Sequence, residues 1–162
     1  MKNRIRVGAI AAAAAVVSAL AVAQVNVTPA RSAEEAGKAI AARQELFKEI
    51  KKAHDPLGAM LKRQREVDPA VVATSAKRIQ ELAGQIPAAY AVDTRAFPGT
   101  KTEAGQNIWG GMADFTAKSD ALAKAAGETA SLAAAGNAAD TLKGIVAMSK
   151  TCGGCHDSYR TK

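Results

Sequence analysis

Two cysteines stand two residues apart near the end of a 162-residue chain, in Cys152-Gly153-Gly154-Cys155-His156, and the chain has no others. Thiols at that spacing can each form a thioether with one vinyl group of a single porphyrin, and the next residue offers an imidazole to the iron. The motif therefore predicts one covalently bound haem c, with Cys152 and Cys155 as its attachment points and His156 as the protein ligand to the metal. Gly153 and Gly154 keep side chains away from the ring. Two other chemistries use the same residue types. A zinc site needs four ligands, and only His54 could join these three. A thiol–disulfide motif needs its cysteines at a helix N-terminus, where the dipole lowers the thiol pKa. Here the pattern puts them near the end of a helix. A CxxC loop is also far too small to staple a fold.

The motif's position limits the rest of the site. Only Asp157 to Lys162 follow His156, and none is a methionine, so a second axial ligand would have to come from an earlier helix. His54, Met60, Met112 and Met148 are the side chains that could serve. Phe47 cannot coordinate iron and is core on any reading. Met112 and Met148 fit helix seams and are expected as core. His54, beside Asp55-Pro56, is expected to be exposed at a helix break. Arg43 interrupts an otherwise apolar seam; an inward guanidinium needs an anion such as a haem propionate, the alternative being an arginine that snorkels at the bundle edge. Arg160, four residues after His156, shares its face if the helix persists. Trp109 is either core or packed on the haem.

The elements that must position these residues read as helices, without convincing β alternation. Ser32-Ala33-Glu34-Glu35 is a capping box. Ile40, Arg43, Phe47, Ile50, His54, Leu57 and Leu61 then step by three and four residues, one seam of a packed helix. Pro56 predicts a kink or break near His54-Asp55, so the first helix is expected over about 33–53 with a looser continuation to about 65. Asp68 caps a second helix that has Pro69 at its first position, with Val72, Ile79, Leu82, Ile86 and Ala89 inside. Ala91 to Lys101 reads as the one long connection. Thr100 with Glu103 predicts the start of a third helix whose inner face is Ile108, Met112, Phe115, Ser119 and Leu122. Gly136 suits its C-terminal stop. Asn137 with Asp140 opens the last helix, where Leu142, Ile145 and Met148 lead to Cys152. The fold class is all-α: an antiparallel four-helix bundle enclosing a haem. Its many alanines allow close helix approach but fill little volume, so a large apolar cofactor would supply the missing core.

The first residues read as a secretion signal. Met1-Lys2-Asn3-Arg4-Ile5-Arg6 is a basic lead, Val7 to Ala23 an apolar run, and Ala21-Val22-Ala23 a cleavage pattern. Residues 1–23 are thus expected to be a cleaved signal peptide, leaving a single haem domain over 24–162, located in the periplasm without a stable membrane span. The full chain carries 22 Lys and Arg against 15 Asp and Glu. Losing Lys2, Arg4 and Arg6 leaves 19 basic residues against the same 15, a net +4. The basic residues are scattered among acids, and one Trp, two Tyr and three Phe give little to stack on bases, which argues against nucleic acid.

The segment Thr151-Cys152-Gly153-Gly154-Cys155-His156-Asp157-Ser158-Tyr159-Arg160 resembles the C-terminal end of the cytochromes c′, the high-spin class II cytochromes c. Ala42-Arg43-Gln44-Glu45-Leu46-Phe47-Lys48 resembles their first helix, and Ile108-Trp109 with Asp114-Phe115 their third, so the likeness covers about 33–162. It implies a four-helix haem bundle, commonly a homodimer through its first two helices, with a pentacoordinate iron that binds NO or CO or carries electrons. Phe47 stands where low-spin relatives carry a ligating methionine. The resemblance puts Arg43 near a propionate and Arg160 beside His156 on the proximal face. A low-spin electron carrier with Met60 or Met112 on the iron is the alternative. An enzyme such as a peroxidase is not expected, because an apolar Phe47 face supplies no distal His or Arg to act on bound oxygen. The redox partner is not legible.

Overall fold

A computed structural model of the chain describes residues 25–99 and 101–161. The signal-peptide reading of 1–23 and the side chain of Thr100 lie outside the described residues. Five helices follow in chain order: α1 (Ala33–Leu61), α2 (Pro69–Ala83), the short α3 (Ile86–Ala89), α4 (Met112–Ala134) and α5 (Ala138–Tyr159). The four long ones form a four-helix bundle. Two-residue strands β1 (Thr28–Pro29) and β2 (Val92–Asp93) pair in parallel and pin the N-terminal segment to the long connection.

Three helix starts follow from their caps. Ser32 accepts the Glu35 N–H at 3.1 Å, Asp68 accepts from Ala70 and Val71 with Pro69 behind it, and Asn137 accepts from Ala139 and Asp140. The α4–α5 turn needs Gly136, whose φ of +79° lies in the left-handed region.

Three expectations about helix ends are corrected. The second helix stops at Ala83, and Ile86 and Ala89 belong to the separate short α3. Pro56 sits inside α1 and does not break it. Proline withholds the N–H that the Lys52 carbonyl would accept, but Lys52 is exposed and water can take that carbonyl. Leu57 and Met60, immediately beyond, are 0% and 2% exposed. Burying two such side chains is worth roughly 3–6 kcal/mol, against about 3 kcal/mol for an interior proline. Packing wins, and the helix continues.

The third long helix begins at Met112, not near Thr100. The backbone before it is already engaged elsewhere. Gly105 N–H donates to the Tyr159 carbonyl at 2.7 Å and Thr161 N–H to the Glu103 carbonyl at 2.9 Å, a strand-like pairing with the end of α5. A Cβ on Gly105 would lie 2.9 Å from the Tyr159 oxygen, so only glycine lets the two segments approach this closely. A single 3₁₀ turn, Gln106–Ile108, then leads into α4.

The core gathers Leu57 and Met60 from α1, Val72 and Ile79 from α2, Ile108 and Phe115 around the start of α4, and Ile145 and Met148 from α5. Leu142, on the approach to the cysteine motif, is 37% exposed. Helix packing is uneven. α2 lies closely along α4, α4 along α5 and α1 along α2, while α1 and α5 touch only sparingly. That loose seam is where the bundle holds a cavity.

Candidate haem site

The cavity has a volume of about 700 Å³, within the 300–1,000 Å³ of ordinary cofactor and ligand pockets. Its α1 wall is the seam read from the sequence: Ile40, Arg43, Phe47, Ile50 and His54. Ile79, Ile86, Ile108, Phe115 and Leu122 continue the apolar lining, and Met148, Cys152, Cys155 and His156 close it from α5.

α5 remains helical through the whole motif. Cys152 with Cys155 is therefore an i, i+3 pair and Cys152 with His156 an i, i+4 pair, which turns all three toward one side. Both cysteines are free thiols. Burial raises the pKa of each, with Lys118 pulling Cys155 the other way. They sit in the last turns of a helix, far from an N-terminus that could stabilise thiolate, so a thiol–disulfide exchange site is not what the geometry builds. His156 lies at the exposed rim. Burial, and then the Arg160 guanidinium, lower its pKa and favour the neutral imidazole. Among the described residues no three of His, Cys, Asp and Glu converge on a point, so the donor set is one imidazole and two thiols facing an apolar hollow. Thiols spaced for two vinyl groups, an imidazole beside them and apolar walls fit a haem.

Arg43 does not snorkel, and protein oxygens meet its donors. It is 3% exposed. Its Nε donates to the Ala89 carbonyl at 2.9 Å, Nη1 to Thr94 Oγ1 at 3.2 Å and Nη2 to the Val92 carbonyl. The guanidinium also stacks over Tyr90 at 4.5 Å and Trp109 at 5.3 Å. Burial lowers its pKa, while Tyr90 and Asp93 oppose the shift. Arg43 thus ties α1 to the carbonyls after α3 while still lining the cavity. Trp109 belongs to this cluster and donates Nε1–H to the Tyr90 carbonyl at 3.0 Å; it is not part of the cavity wall. Arg160 lies one residue beyond the end of α5 and is held by Glu103, Nε to Oε2 at 2.6 Å. It reaches the cavity mouth from extended backbone rather than from the helical face that carries His156.

His54 is not at an exposed break. It is half-buried on continuous helix, lines the cavity and meets Ser149 Oγ of α5 across 3.2 Å. Its place on the seam with Phe47 was legible in the sequence; only the helix break expected at Pro56 argued for exposure. Lys101 and Lys118 also line the mouth, and Glu103 holds Arg160 there. Nothing local in the sequence marks these three, because they meet the site only through tertiary packing. Met60 and Met112 do not line the cavity, whereas Met148 does.

Comparison with known proteins agrees with this geometry. The family model for cytochrome c′ matches residues 38–160. A cytochrome c′ of Rhodopseudomonas palustris is 31% identical over 160 residues, covering 98% of each chain. One from Pararhodospirillum photometricum is 34% identical over 104 residues, 64% of this chain and 81% of that protein. Among solved structures, the cytochrome c prime from Shewanella frigidimarina superimposes with a TM-score of 0.70 at 30% identity, covering 80% of this chain and 98% of that one. A match that runs from the first turns of α1 past the end of α5, on a shared bundle, means that this chain belongs to the cytochrome c′ family.

Proposed function

We propose that the chain is an exported haem c protein in which Cys152 and Cys155 hold one haem covalently. In this reading His156 ligates the iron, and the opposite axial position stays open to NO or CO, with electron transfer through the same metal. As a member of its family the chain is a c-type haem protein. Cytochromes c′ are periplasmic proteins that carry electrons or bind gases, generally without enzymatic turnover. No helix among the described residues is long and apolar enough to cross a membrane. A homodimer through α1 and α2, with a redox partner of unknown identity, completes the proposal.

One observation carries it. α5 turns the cysteine pair and His156 toward a cavity whose α1 wall presents Phe47 and no methionine. Of the side chains that could complete a low-spin iron, Met60 and Met112 do not reach that wall, and His54, which does, has its Nε2 engaged with Ser149 Oγ at 3.2 Å. Met148 does line it, but on the same helix as His156, eight residues or about 12 Å along the axis, which is the wrong side for a second axial bond. When bound, the haem supplies an iron that takes one electron or one diatomic ligand. The chain's part is to anchor, orient and desolvate: the thiols fix the ring edge, Phe47 and Ile50 exclude water, and Lys101, Lys118 and Arg160 offer cations to two propionates.

A visible absorption spectrum of the ferrous protein, with and without CO, tests the reading. A high-spin spectrum that converts on adding CO is expected. A resting low-spin spectrum with a methionine–iron charge-transfer band would overturn it.

A further inference from the structure

His54, one of the side chains that could have served as a second axial ligand, is a titratable group in the cavity wall that the proposed five-coordinate site leaves unused. Its Nε2 meets Ser149 Oγ of α5 at 3.2 Å. Its Nδ1 has no hydrogen-bond partner among the described residues, yet no buried side-chain nitrogen or oxygen there is left unpaired. Nδ1 is therefore not sealed inside the protein, and the ring lines the cavity. The charges around it are few. Asp55 and Lys51 lie on its own helix and pair with each other at 2.8 Å. α5 presents the Ser149 hydroxyl and the cysteine pair, and Lys118 of α4 lines the same cavity.

We propose that His54 is a proton-binding site coupled to the haem electron, taking up one proton at Nδ1 when the iron is reduced and releasing it on oxidation. The proposal rests on the reading of this cavity as the haem site. The step balances simply. A one-electron donor adds one negative charge to the cavity contents, a solvent proton adds to the Nδ1 lone pair to give imidazolium, and no other bond forms or breaks. Oxidation returns both.

Electrostatics sets the sign and the size. Burial, first, and Lys51 hold the His54 pKa below its ordinary value, with Asp55 opposing, which favours the neutral ring near pH 7. Adding a negative charge nearby favours the imidazolium. At an effective dielectric of about 20, a unit charge placed about 10 Å from any titratable group changes its proton affinity about 15-fold, which sets the scale of the effect. The reduction equilibrium should therefore become about 15-fold more favourable as pH falls through the interval between the two His54 pKa values. With pKa values that close together, its steepest slope would be about fourfold per pH unit, about 35 mV for a one-electron couple whose full proton-coupled slope is about 59 mV.

The test is a redox titration of the full haem-loaded protein, followed by visible absorption from about pH 5 to about 8, on wild type and His54→Gln. Glutamine keeps a partner for Ser149 and cannot titrate. Wild type should show the acid-side rise and the variant should lose it; equal slopes in the two, or a flat wild-type profile, would overturn the proposal. A second readout needs no variant that folds. The His54 ring-proton resonance in wild type should titrate at higher pH in the reduced than in the oxidised protein, and coincident midpoints would refute the coupling. A protein that carries no thioether-bound haem would instead defeat the function proposed above, and this proposal with it.

Discussion

A phenyl ring has no lone pair to give to iron, and Phe47 lines the cavity from α1, opposite the helix that carries His156. In the proposed site it obstructs an incoming ligand without competing for the metal. Pushing such a ring off its rotamer costs about 0.5–1.5 kcal/mol, and 1.4 kcal/mol is tenfold in rate. Phe47→Ala should therefore speed CO association about 2- to 10-fold in flash photolysis, while Phe47→Met should move the absorption spectrum toward low spin. Unchanged association in the alanine variant would remove Phe47 from the ligand path. The two ends of this site were unequally legible in the sequence. Cys152, Cys155 and His156 could be read because spacing along one helix fixes a shared face. The partners of Arg43 could not, because they are the backbone oxygens of Ala89 and Val92 and the hydroxyl of Thr94, brought in from a distant loop. A buried guanidinium satisfied by neutral oxygens gives the same sequence signal as one that awaits an anion.

At the scale of elements, caps foretold helix starts wherever the backbone was free to follow them. Ser32, Asp68 and Asn137 all cap the helices they precede. Glu103 does not, because its segment is paired with the end of α5. Pro56 is the complementary case, a local stop signal overruled by the burial of Leu57 and Met60. Pro56→Ala should then raise stability by about 1–3 kcal/mol without changing far-UV helicity, since α1 is already continuous. A clear gain in helix content would mean that the proline does break the helix in solution. The α4–α5 contact makes a different prediction. Tyr159 is 8% exposed, packs edge-on against Phe115 at 5.2 Å and donates its hydroxyl to Asp114 Oδ2 at 2.7 Å. Burial, then that carboxylate, push its pKa up to about 12, against about 10 in an unfolded chain. The folded state thus holds the phenol proton more tightly than the unfolded state does. This contribution is fully present below about pH 10 and is lost as pH rises through 12. Tyr159→Phe should cost about 1 kcal/mol at pH 7 and should flatten the alkaline fall in urea midpoint; an equally steep fall in the variant would move the titrating group elsewhere.

Across the whole molecule, the question is what fills the seam between α1 and α5. The bundle class could be read from periodicity and loop lengths, and alanine-rich helices suggested a core short of volume. The size and place of the shortfall could not be read, because they depend on α1 and α5 touching only sparingly while α1 with α2, α2 with α4 and α4 with α5 pack closely. The cavity there measures about 700 Å³. Holding such a hollow open without its occupant leaves its apolar lining without packing partners, at a cost that grows with the volume left empty. The whole stability of a domain is only about 5–15 kcal/mol. Water cannot make good that loss, because Ile40, Phe47, Ile50, Phe115 and Leu122 give it few partners. The bundle without its covalent ring should therefore collapse into the hollow and lose fixed packing while its helices, capped locally at Ser32, Asp68 and Asn137, partly persist. Cys152→Ser with Cys155→Ser makes the case, since serine is nearly isosteric and removes only the thioethers. We expect no covalent haem on denaturing gels, much of the far-UV helical signal retained, a weak near-UV spectrum, binding of a hydrophobic dye, and a broad urea transition in place of a sharp one. A double variant that unfolds cooperatively at the wild-type midpoint without haem would mean that the helices close the seam by themselves and that the cofactor is not part of the core.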